Sequence, residues 1–164
     1  MNKTVSGRKL GILVSLSKVD KHAEISPHVS HGCLTASFHS RRIFSTGKVT
    51  IGSFKINTAK IVWDTGSKVT IVFVPDPDAL DAPPLGIFDV SGIGTSETAS
   101  SRSCTIDLGG GIIIDGICAG MLPDSGDIYD DDTVETADVI LGMDVLELGN
   151  LNVNGPLRKW SFKT

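Results

Sequence analysis

Glycine and proline punctuate this chain so often that no long apolar face can form between them. Eighteen glycines and seven prolines separate short runs rich in valine and isoleucine. β-Branched side chains in such runs favour a pleated backbone, and glycine and proline turn or end it. Long amphipathic helices have no room here, so the reading is an all-β fold. With 164 residues and 40% hydrophobic content, the chain is sized for one globular domain with its own core, and a two-lobed enzyme does not fit.

Charge and cysteine usage exclude several classes of partner. A net charge of -4 with no clustered basic face argues against a nucleic-acid partner, because phosphate binding needs such a face. Cys33, Cys104 and Cys118 are odd in number and widely spaced, which reads as reduced thiols and a cytoplasmic chain. Arg8-Lys9 followed by Leu10–Leu16 imitates a signal peptide. The apolar run is short, though, and Lys18, Asp20 and Lys21 follow without a small-residue cleavage site. No stretch is long enough to span a bilayer as a helix, so no membrane partner is expected.

Residues 1–42 hold all four histidines and the basic pair Arg41-Arg42. They read as an N-terminal extension, either a pro-segment or extra strands, ahead of a domain over 43–164. Val49, Ile51, Phe54 and Ile56 alternate around Gly52-Ser53 as a hairpin does, and Ala59–Trp63 is an apolar strand running into Asp64. Val69–Val74 is a second buried strand, ended by a proline-rich loop. Cys104–Leu108, Gly109-Gly110-Gly111 and Ile112–Ile114 make a hairpin, since a glycine loop that cradles phosphate should open a helix. Residues 122–138 read as an acidic loop, and short strands near Leu151–Val153 and Trp160–Phe162 close the chain.

The run Trp63-Asp64-Thr65-Gly66-Ser67 carries the chemistry. A carboxylate leaving a hydrophobic strand costs several kcal/mol unless it is hydrogen-bonded or protonated. Thr65 offers a hydroxyl, and Gly66 lets the backbone bring N–H groups toward the carboxylate. Alone, Asp-Thr-Gly is also an ordinary turn. Val90-Ser91-Gly92-Ile93-Gly94 and Val139-Ile140-Leu141-Gly142-Met143-Asp144-Val145-Leu146 follow it in order. Together the three motifs resemble the retropepsin-like aspartic proteases over roughly residues 44–164, and Trp63 looks closest to the bacterial members.

That resemblance implies a retropepsin-like fold: a closed or partly open β-barrel with a flap hairpin and one short helix near Met143–Leu148. It implies a catalytic Asp64, with Thr65 locking two such turns across a dimer and Gly66 meeting substrate backbone. Ser67 and Lys68 would join the substrate-binding residues. Gly92, Ile93 and Gly94 would form the flap tip over bound peptide, and Ile140, Leu141 and Gly142 would support the site from beside the turn. The chemistry needs two aspartates sharing a proton. Asp124-Ser125-Gly126 lies in a polar setting without flanking buried strands, so a twofold homodimer supplies Asp64 twice. The resemblance also implies that chain termini pair across that dimer, and Lys159–Lys163 alternates suitably.

Departures from the family pattern are Ser67 where viral members have alanine, Lys68-Val69 where acidic residues are common, and Thr95 where a further glycine is common. A hydroxyl at Ser67 could hydrogen-bond the ionised Asp64. His28, His31, Cys33 and His39 match no zinc spacing, and residues 124–135 lack the pattern of a calcium loop. No metal or cofactor is therefore expected. The expected activity is aspartic endopeptidase action on a peptide or protein substrate. The alternative is a peptide-binding or assembly module of the same fold with weak or no proteolysis, and self-cleavage near Phe38 or Ile43-Phe44 would join the two.

Overall fold

In the computed structural model, residues 13–15, 26–38, 42–92, 95–123, 126–130 and 133–164 are described. The strands of the barrel come first. Strand β4 (Ile43–Ile51) turns at Gly52-Ser53 into β5 (Phe54–Trp63), with Ile51 opposite Phe54. Gly52 has φ +56, in the left-handed region that glycine tolerates. The exposed Asp81 carboxylate accepts the Ser53 N–H at 2.9 and 3.2 Å, and those bonds hold its pKa below the ordinary value.

Strands β6 (Ile71–Val74), β7 (Pro84–Gly92), β8 (Thr95–Gly109), β9 (Ile112–Pro123) and β12 (Val139–Leu141) complete the main sheet. Its order runs β7-β8-β4-β5-β12-β6-β9, and β8 also pairs with β9. That extra pairing closes β8, β4, β5, β12, β6 and β9 into a six-stranded barrel, which removes the free edges that an open sheet would present. The β8–β9 turn is Gly109-Gly110-Gly111, all three with positive φ. Two short strands from the N-terminal region add to the outside, β1 (Leu13–Ser15) on β7 and β2 (His28–Val29) on β9.

Two apolar clusters explain the unbroken hydrophobic runs of the sequence. Ile61, Trp63, Val72, Val74, Val139 and Leu141 face the main core with Ile51, Ile106, Leu108 and Ile114. Their neighbours Val62, Ile71, Phe73 and Ile140 face a second cluster with Val69, Phe88, Val90, Ala99 and Leu122. β5, β6 and β12 are thus buried on both sides. Strands so placed read as continuous apolar stretches without alternation.

The expected all-β fold with one short helix stands. The helix α1 covers Met143–Leu146, two residues shorter than the expected Met143–Leu148. Two expectations change, the acidic loop and the pairing of the C-terminal strand. Residues 122–138 are not simply an acidic loop: β10 (Gly126–Asp130) and β11 (Thr133–Ala137) form a hairpin in which Tyr129 stands opposite Val134. Backbone pairing is indifferent to side-chain charge, so the acidic composition hid it. In the N-terminal extension, β3 (Cys33–Ser37) forms a sheet with β13 (Asn150–Asn154) and β14 (Lys159–Lys163), in the order β13-β14-β3. Leu34, Ala36 and Phe38 pack against the main core, a period-two pattern weakened by small residues. Both edges of β14 are therefore filled within one chain, and the expected pairing of Lys159–Lys163 with a second copy has no open edge to use.

β14 ties this small sheet to the barrel. The fully buried Trp160 and Phe162 meet the Trp63 ring at centroid distances of 4.9 and 5.0 Å, the first tilted and the second edge-on, and edge-on packing is a geometry that aromatic pairs favour. Among the described residues, no helix is long and apolar enough to cross a membrane. Phe162→Ala removes a wholly buried ring from this junction. It should lower stability by about 3–5 kcal/mol, read as a fall in the urea midpoint at unchanged m-value.

Candidate active site

Asp64 is the first residue beyond β5, and backbone bonds set its position. Its N–H donates to the Leu141 carbonyl at 3.0 Å, continuing the parallel pairing of β5 with β12 one residue past Trp63. Its carbonyl accepts the Ser67 N–H at 3.2 Å, closing a tight turn. Within that turn the Gly66 N–H donates to Asp64 Oδ1 at 2.8 Å. A Cβ on Gly66 would stand 3.1 Å from the same oxygen, so glycine keeps this amide close without crowding the carboxylate. Asp64 is partly buried, and Thr65, Gly66 and Lys68 are exposed. Among the described residues, Oδ2 of Asp64 carries no hydrogen bond.

Below the turn, Ser67, Thr70 and Asp144 are held by hydrogen bonds. Ser67 is fully buried, and its hydroxyl donates to the Val69 carbonyl at 2.7 Å. The expected bond from this hydroxyl to the Asp64 carboxylate is not formed. Full burial also takes Ser67 away from the surface where a substrate-contacting residue must stand. The Ser67 carbonyl accepts the Met143 N–H at 2.8 Å, which fastens the start of α1 to the turn.

The sequence reading gave no role to Thr70 and Asp144, yet they form the centre of this support. Thr70 is fully buried. Its N–H and hydroxyl donate to the two oxygens of Asp144, each at 2.8 Å. The Thr70 hydroxyl oxygen also accepts the Gly142 N–H at 3.2 Å, and the Val145 N–H donates to Asp144 Oδ1 at 3.0 Å. Burial pushes the Asp144 carboxyl above its ordinary value, while the Thr70 and Val145 hydrogen bonds pull the other way. One signal was available: a threonine inside an otherwise apolar run must find a hydrogen-bond partner.

Ile140, Leu141 and Gly142 lie where the sequence placed them, beside the turn. Ile140 and Leu141 are buried. Gly142 passes so close to Val69 that a Cβ would meet its backbone carbon and oxygen at 2.5 Å. The β7–β8 hairpin ends in the pair Gly92–Thr95; Ile93 and Gly94 lie outside the described residues. Phe88 and Val90 of that hairpin are buried in one cluster with Val62, Val69 and Ile140, which flank Asp64 on both sides.

The other candidate groups are scattered. His28 is in β2 and Cys33 opens β3, while His39, Asp124 and Ser125 lie outside the described residues. Among the described residues, no group of three or more His, Cys, Asp or Glu could hold a metal ion. Burial pushes the thiols of Cys104 and Cys118 up, so both stay protonated near neutral pH and are poor nucleophiles.

No family model and no curated protein matches the chain. Among solved structures, a retropepsin-like aspartic protease from Rickettsia conorii is similar over 84% of this chain and 93% of its own, with a TM-score of 0.47 and 14% sequence identity.

Two outcomes follow from this geometry. Gly142→Ala forces a methyl group against backbone that cannot swing aside, so it should cost about 3 kcal/mol, at the upper end for overpacking, measured by urea unfolding. Asp144 has a raised pKa in the folded chain, so the fold binds its proton more tightly than the unfolded chain does. Stability from this site therefore grows as pH falls through the carboxylate range and is lost as pH rises. The urea midpoint of wild type relative to Asp144→Asn should shift in favour of wild type between pH 7 and pH 4.

Proposed function

We propose that this chain is one half of a homodimeric aspartic endopeptidase in which two Asp64 carboxylates, one from each copy, act on a peptide bond. The observation that carries the reading is the state of Asp64: one oxygen is held by the Gly66 amide, and Oδ2 is left without a partner among the described residues, at a partly exposed position. A carboxylate so oriented, on a turn whose Asp64 and Ser67 backbone groups are bonded, is prepared for a water molecule rather than for folding.

Two such carboxylates at close range cannot both ionise, so they share one proton; aspartic proteases as a class are a known instance. The ionised Asp64 takes a proton from water as the water oxygen bonds to the scissile carbonyl carbon. The protonated Asp64 of the other copy donates to the carbonyl oxygen. The tetrahedral gem-diol then breaks its C–N bond: the departing nitrogen takes a proton from the Asp64 that had accepted it from water, and one diol hydroxyl returns its proton to the other Asp64, leaving a carboxylic acid, an amine and a dyad with one proton. Thr65 and Gly66, exposed beside Asp64, face the twofold axis in this reading. Lys68 and the backbone of Gly92, Ile93 and Gly94 contact the substrate, with the β7–β8 hairpin closing as a flap that excludes water.

The second reading, a binding module with little proteolysis, is favoured by the filled edges of β14, which remove one route to a dimer. Peptide-library digestion separates the two. Asp64→Asn should retain the fold by circular dichroism and lose at least about 10²-fold in cleavage rate, and sedimentation should show the active species as a dimer. A variant that cleaves as wild type does, or a monomer that cleaves, would overturn the proposal.

A further inference from the structure

Arg102 carries a charge into the barrel wall with no carboxylate among its partners. It is 5% exposed. Its Nη2 donates to the Pro77 carbonyl at 2.9 Å, while Nε and Nη1, both shielded from solvent, have no hydrogen-bond partner. The Ser100 hydroxyl, two residues earlier on β8, is equally shielded and equally without a partner. A buried guanidinium with unused donors destabilises a fold, and packing alone favours an apolar residue in its place.

Both groups stand at one cleft. In the sheet, Ser100 lies between Ile87 of β7 and Met121 of β9. These three and Pro123, with residues 75–78, line a cleft of about 490 Å³, a volume within the range of small-molecule sites. Alternate residues of a strand share a face, so Arg102 follows Ser100 on that face and meets the cleft wall at the Pro77 carbonyl. The cleft is separate from the Asp64 surface. Phe88 and Val90 point into the cluster that flanks Asp64, which leaves Ile87 on the opposite face of β7.

We propose that this cleft binds a monocarboxylate with an apolar body. Ile87, which is 62% exposed, Met121 and the prolines cover the body, and the carboxylate accepts from the Ser100 hydroxyl and the Arg102 guanidinium. Arginine offers donors alone, so its ligand must be an acceptor. A carboxylate adds the attraction of opposite charges, which a carbonyl lacks. It therefore replaces the Pro77 carbonyl on the guanidinium, and residues 75–78 step outward to admit it. Asp76 and Asp78, exposed and lining the same cleft, repel a second negative charge, which disfavours phosphates and dicarboxylates. A free aliphatic acid and the C-terminus of a peptide that ends in an apolar residue share the required chemistry.

The test is an NMR titration of the full ¹⁵N-labelled chain at neutral pH. Octanoate and acetyl-Ala-Leu with a free C-terminus are the probes, and octylamine and inorganic phosphate are the controls. The Arg102 Nε–H resonance should move saturably with a carboxylate probe, together with the amides of Ser100 and Asp78, and should ignore both controls. Tighter binding of octanoate assigns a free acid, and tighter binding of the dipeptide assigns a peptide C-terminus. Arg102→Met keeps an apolar stem without the charge. It should weaken the better probe at least about tenfold and leave the urea midpoint unchanged or higher. Ser100→Ala should weaken it about threefold. An Arg102 Nε–H that responds to neither carboxylate, octylamine bound as well as octanoate, or full affinity in both variants overturns the inference. The Nε–H readout on the unsubstituted chain decides by itself if Arg102→Met does not fold. No arm measures peptide cleavage, so failure of the protease reading leaves the outcome intact.

Discussion

The threading of Val139–Leu141 between β5 and β6 is the constraint on which the rest depends. β12 is parallel to β5 and antiparallel to β6, and it ends by accepting the Asp64 N–H on Leu141 O. The three strands are buried on both faces, so none can slide without exposing apolar surface on one side or overpacking the other. Gly142 then passes within van der Waals contact of Val69 backbone, which only a residue without a side chain allows. The direction of one carboxylate is thus set by peptide geometry, and no neighbouring side chain has to hold it.

A buried polar pair secures that threading from the far side. Thr70 and Asp144 together engage the backbone N–H groups of Thr70 ahead of β6 and of Gly142 and Val145 beyond β12. Leaving either group unpaired in the interior would cost more than the net worth of the bonds themselves. The same pair links the segment after the turn to α1, so the helix, the turn and β12 are joined by buried hydrogen bonds. Trp63 completes the arrangement from below: its Nε1–H donates to Ser45 Oγ at 2.9 Å, and its ring rests on Trp160 and Phe162.

Much of this was legible where the determinants are local. The Gly52-Ser53 and Gly109–Gly111 hairpins and the apolar strands around Asp64 follow from turn chemistry and short-range pattern, whereas the short helix near Met143 follows only from the resemblance. The Asp64, Thr65 and Gly66 turn was legible through motif order. What was not legible depends on partners distant in sequence. Ser67 has a hydroxyl that local reasoning aims at the nearest carboxylate, but the turn rotates it onto the Val69 carbonyl. Asp144 gave no sign that Thr70 would be its partner, because seventy-odd positions separate them. In sequence, β3 reads only as part of an extension that is either a pro-segment or extra strands, since Ala36 and Cys33 are weak markers of a buried face, and its role is defined only by β14.

The pairing of β3 with β14 has a consequence for how the chain is made. Cys33 stands opposite Lys163, and Ser37 opposite Lys159, while Ser30 and Gly32 bond to Thr164. Nascent β3 leaves the ribosome well before its partner β14, which lies far downstream in the chain. Until β14 emerges, the ring of Trp63 has no floor, and the segment around Asp64 remains without its aromatic seat. The turn is therefore seated only after synthesis has passed Lys163, and a ribosome-bound intermediate holds the Asp64 segment in an unfinished form.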